Sequence, residues 1–136
     1  MANEKKLKDI YPENRTSVLS DAFQKRWKKV VNKRPSDLTI GELAMCIRQQ
    51  HFLDTLMPLA IEVLRVNPLA GKVYKGELLH SVALVTEYTY DMATDLQAIL
   101  NHLNIQECMD HLSSDIEIHQ FSESVRFIKA KTKDII

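Results

Sequence analysis

Cys108 and His111 lie three residues apart, which on a helix would place thiol and imidazole on one face. That pair suits zinc, and within hydrogen-bond reach it would also be the start of a cysteine nucleophile. His80, His102 and His119 add further donors along the same stretch. Three features oppose both chemistries. There is no Cys-x-x-Cys pair, no glycine loop that would build an oxyanion site, and Cys108 falls on an apolar stripe with Ile105 and Leu112. Cys108 and Cys46, each inside an apolar helical pattern, read as buried free thiols. No catalytic, metal or cofactor site is expected.

A second candidate is the stretch VNPLAGKVYKGELL, residues 66–79, which holds two of the three glycines in the chain. A phosphate-binding loop would place Lys-Ser or Lys-Thr after the last glycine, at the start of a helix. Here Lys72 is followed by Val73, and Gly76 by Glu77, whose charge would repel a phosphate at a helix N-terminus. The stretch reads instead as a folded connector. In that reading Pro68 stops one helix, Gly71 allows a positive-φ turn, Tyr74 packs inward and Gly76 opens the next helix.

The third candidate is a charge pattern. Formal net charge is zero, but residues 1–37 hold ten Lys or Arg against five acids. From Gly76 to Val125 there is no Lys or Arg and there are nine acids. Asp91 and Asp95, four apart, would project from one helical face, where like charges cost a few tenths of a kcal/mol. A pair unfavourable to its own helix points to a basic partner, steered in and held in register by this surface. The contacts expected are Glu87, Asp91, Asp95, Glu107, Asp110, Asp115 and Glu117. Lys25, Lys28 and Lys29 beside Trp27 suggest a rival, an antitoxin-like nucleic-acid-binding module. The neutral total lacks the positive excess of such proteins, and an amphipathic helix surface explains the lysines.

The elements that must position these residues are helical. Few glycines and prolines leave little material for hairpins. Leu19, Phe23, Trp27, Val30 and Val31 predict a helix over 17–33, ended by Arg34-Pro35. Thr39 with Glu42 forms a capping box for a helix to about Gln50, with Gly41 letting another element pack closely. Helices follow over 54–66, with Pro58 placed in the first turn, then 77–85 and 90–103. Asn104 with Glu107 caps a short helix, and the last carries Ile118, Phe121, Val125 and Ile128 before fading into a basic tail. Residues 82–90 have some strand character. The expectation is one all-α domain of six or seven helices over 1–136, with residues 1–14 left open to disorder. No run approaches the ~20 apolar residues of a membrane span, and MANEKKLKDIYPEN does not read as a secretory signal.

From Leu38 to Val85 the chain resembles the immunity proteins of bacterial contact-dependent growth inhibition systems. The marks are Leu-Thr-Ile-Gly-Glu-Leu, Ile-Arg-Gln-Gln, Leu-Met-Pro-Leu-Ala-Ile-Glu-Val-Leu, Asn-Pro-Leu-Ala and Tyr-Lys-Gly-Glu-Leu-Leu, in that order. Similar proteins tend to have glycine after the paired glutamines, where this chain has His51-Phe52-Leu53, and an acid near Gly71, where it has Lys72. The resemblance implies a non-catalytic cytoplasmic protein that binds the toxin domain delivered by sibling cells, often a nuclease. Residues 38–85 are then the family-like core, and 86–128 the acidic half that recognises a basic toxin.

Overall fold

The computed structural model describes residues 4–11 and 21–136, with residues 21–24 as backbone alone. Among these residues there are eight α-helices and no strand. They are α1 (Leu7–Ile10), α2 (Asp21–Val31), α3 (Ile40–Arg48), α4 (Leu53–Val66), α5 (Glu77–Ala83), α6 (Tyr90–Asn101), α7 (Ile105–Asp110) and α8 (Asp115–Ile135), with a 3-10 turn at Pro35–Asp37. Seven correspond to helices expected from periodicity. The eighth, α1, lies within residues 1–14: Leu7 is fully buried, and its N–H donates to Lys33 O at 2.9 Å. Leu19 and the Phe23 side chain lie outside the described residues.

Five helices close a ring in the order α3, α5, α8, α6, α4 and back to α3, and α5 also touches α4. The centre of this arrangement is α5. It has seven residues, too few to persist alone, yet Glu77, Leu78, Leu79, Ser81, Val82 and Ala83 are all buried. A helix buried on every side is held by its neighbours rather than by propensity. The longest helix, α8, covers it with Phe121, Val125, Ile128 and Thr132, spaced as one helical face and all buried.

Three local readings need correction. Pro58 stands at the sixth position of α4, beyond the first turn, because the helix begins at Leu53. Residues 84–89 are not a strand. They are a loop wrapped round the end of α5, in which the Tyr88 hydroxyl donates to Val82 O at 2.8 Å. The last helix does not fade at Ile128 but runs through its basic residues to Ile135. In the loop that follows α3, two non-glycine residues stand in the left-handed region, Gln50 (φ 60°) and Phe52 (φ 58°). Gln50 is held by accepting bonds from the Thr86 N–H and hydroxyl at 3.2 and 2.7 Å. Phe52 is held by stacking on Trp27.

Candidate partner-binding surface

Helix starts decide where most of the acidic candidates stand. Thr89 Oγ1 accepts Met92 N–H at 3.2 Å and begins α6, which puts Asp91 in the first turn. Asn104 Oδ1 accepts Glu107 N–H at 3.0 Å and begins α7. Ser114 Oγ accepts Glu117 N–H at 3.1 Å and begins α8, with Asp115 and Glu117 in its first turn. Acids in first turns stabilise their own helices through the dipole, so Asp91, Glu107, Asp115 and Glu117 have a structural use as well.

Glu87, Asp95 and Asp110 have no such use. Asp110 ends α7, where the dipole disfavours a negative charge, and its one side-chain bond is from Gln106 Nε2 at 3.0 Å. All seven carboxylates except half-buried Glu117 are exposed. The fold brings cations to two of them. Arg65 Nη2 stands 4.0 Å from Asp95 Oδ1. Glu117 Oε1 accepts Ser113 N–H and hydroxyl at 3.0 and 2.9 Å, and these bonds, with Lys75 nearby, hold its carboxyl below the usual range. Glu87, Asp91, Glu107, Asp110 and Asp115 have no cation partner among the described residues. They spread along α6, α7 and the start of α8 rather than converging on a point.

The alternative chemistries are dispersed. Cys46 and Cys108 are free and buried, and burial pushes the Cys46 thiol up to about 12. Burial, then the Glu107 charge, raises Cys108 as well, the reverse of what a nucleophile needs. His102 Nδ1 lies 2.9 Å from Ala98 O, while His80 sits between Ser124 and Gln120. Among the described residues no three His, Cys, Asp or Glu side chains are grouped to hold a metal.

The connector at 66–79 is architectural, and it carries its own anion. Glu77 Oε1 accepts the N–H groups of Lys72 and Val73 at 2.8 and 3.2 Å, while Arg48 Nη1 lies 3.9 Å from Oε2. The chain's own buried carboxylate thus accepts the loop amides. Gly76 is the glycine with positive φ, at 87°. Gly71 is needed for space instead: a Cβ there would lie 2.0 Å from Tyr74 O.

Beside the connector is a groove of about 550 Å³ that sequence reasoning missed. Arg26 and Lys29 from α2, Arg48 from α3 and Lys72 from the connector line it. Its sequence signal was split between Gly41, a point of close approach, and Lys72, a departure from similar sequences. The structure joins them, since the Lys72 stem lies against Gly41, 2.9 Å from where a Cβ would stand.

A family model for CDI (contact-dependent growth inhibition) immunity proteins matches residues 9–103. The chain belongs to that family. No curated protein matches it. The CDI immunity match is wider than residues 38–85 at both ends, and it takes in the basic groove together with Glu87, Asp91 and Asp95. Glu107, Asp110, Asp115 and Glu117 lie beyond it. No helix among the described residues is long and apolar enough to cross a membrane.

Proposed function

We propose that this CDI immunity protein binds and neutralises the toxin domain of its own system, a basic domain with nuclease activity, in the cytoplasm of the cell that makes it. It performs no reaction. The acidic surface of α6, α7 and the first turn of α8 covers the toxin's active site or substrate groove. The observation that carries this reading is the run of fifty residues, Gly76 to Val125, without a Lys or Arg. Five of its carboxylates stand exposed with no cation partner among the described residues. Exposed apolar side chains beside them, Tyr90 at 63% and Ile116 at 79%, supply the anchors that a charged rim alone lacks.

An inhibitor that must outcompete substrate needs nanomolar or tighter affinity, about −12 kcal/mol, over roughly 1,200–2,000 Å² of total buried surface. The test is co-purification with the toxin domain of the same system, followed by assay of its nuclease activity. The expected result is a stoichiometric complex with the activity abolished. A toxin domain that stays active and unbound at micromolar protein would overturn the reading.

A further inference from the structure

We propose that the groove between α2, α3 and the 66–79 connector is a second docking site, which receives a carboxylate-bearing segment of the toxin domain. The inference rests on the toxin-binding reading but names a different surface and the opposite charge.

Four cations converge on the groove from three elements: Arg26, Lys29, Arg48 and Lys72. Arg26, Lys29 and Lys72 have no ion-pair partner among the described residues, and Arg48 reaches only Glu77, at 3.9 Å. The two carboxylates in the wall are already engaged. Glu42 Oε1 accepts from Lys33 Nζ at 2.7 Å and from Thr39 N–H at 2.9 Å, and Glu77 from the Lys72 and Val73 amides. The groove therefore keeps a surplus of positive charge. A groove lined by uncompensated cations attracts an anion. Lys72 is not left to wander, because its stem lies in the space that Gly41 leaves open.

The lining also selects among anions. Met45 is half-buried at the wall, and Val73 is 78% exposed at the rim. A bare phosphate has no use for these apolar surfaces. A nucleic-acid backbone would pass its charges close to the Glu42 and Glu77 carboxylates, whereas its usual hosts present an uninterrupted basic lane. A peptide segment with two or three carboxylates around one apolar side chain matches cations and apolar rim together. The toxin is then two-signed, basic toward α6–α8 and acidic toward this groove, as the immunity protein is.

The test uses the full chain and the purified toxin domain. Arg26→Glu/Lys29→Glu/Lys72→Glu and the milder Arg26→Gln/Lys29→Gln/Lys72→Gln are compared with wild type for Kd and urea midpoint. Wild type is expected to bind. The reversal should weaken binding by at least about a hundredfold and the neutral triple by about tenfold, with midpoints unchanged. Unchanged Kd in both variants would overturn the groove proposal and leave toxin binding standing. A wild type that fails to bind the toxin would remove the functional reading, and the groove proposal with it. Loss of binding that tracks a lowered midpoint in both variants would assign the cations to folding and overturn the proposal. So would retention by wild type, but not the variants, of a labelled RNA or DNA duplex at physiological salt with toxin affinity unchanged.

Discussion

At the scale of single residues, Gly71 and Glu77 are the positions on which the connector depends. A methyl group at Gly71 would meet the Tyr74 carbonyl at 2.0 Å and the Glu77 Cβ at 2.8 Å, so backbone must move. Gly71→Ala should cost about 2–3 kcal/mol, in the upper range for overpacking. Gly41→Ala should cost less, because its neighbour is a lysine side chain that can give way. Urea denaturation of both variants checks the order. That 66–79 is a connector was legible from the residue after each glycine. Why Gly71 is glycine was not, because backbone crowding depends on where Tyr74 and Glu77 meet in space. A pH effect also belongs at this scale. Burial lowers the proton affinity of His51, and burial then the Arg48 charge lowers that of His80. The unfolded chain therefore binds more protons than the fold near and below about pH 6.5. Stability should be level above that value and fall as pH drops through it toward the folded-state pKa values. Melting temperatures taken between about pH 8 and pH 5 should show this, with a shallower slope in His80→Gln; a flat wild-type profile would contradict it.

At the scale of elements, α5 is short, central and closed at its C-terminal end by a residue from α8. Lys131 Nζ donates to the carbonyls of Ala83 and Val85, at 2.6 Å for the latter, and stands 5.2 Å from the Tyr88 ring centre. Its burial lowers its proton affinity, yet it supplies donors where a helix end has carbonyls to satisfy. Lys131→Met keeps the stem and removes these bonds, and should cost about 1.5–3 kcal/mol in urea. Ser114→Ala, which removes the α8 cap, should cost about 1 kcal/mol. The starts of α3 and α7 were legible because a cap is local: Thr39 and Asn104 each lie three residues before the amide they bind. Ends and loops were less so. Residues 82–90 read as strand-like from their β-branched and aromatic side chains, but from Leu84 on they form a loop that wraps α5, burying Val85 and Tyr88 while Thr86 and Glu87 stay out. Lys131 looked like part of a solvated tail because its partners are more than forty residues away.

At the scale of the whole molecule, the zero net charge conceals a division. Cations gather on the α2–α3 side around the groove, and uncompensated acids stand on α6, α7 and the start of α8. The acidic half was legible because it is contiguous in sequence. The groove was not, since its four cations come from three segments, and Arg65 and Lys75 reach the acidic half from outside its span. A divided surface predicts association that is fast at low salt and slows as salt rises. If the acidic surface receives the toxin, removing its charge should slow their association. Asp91→Asn, Glu107→Gln, Asp110→Asn and Asp115→Asn are combined to remove four negative charges with little change of shape. Association with the toxin domain is then followed by stopped flow across a salt series. The rate should fall at least about tenfold below wild type at low salt, with a flatter dependence on salt; an unchanged rate and slope would rule out toxin docking on the acidic surface.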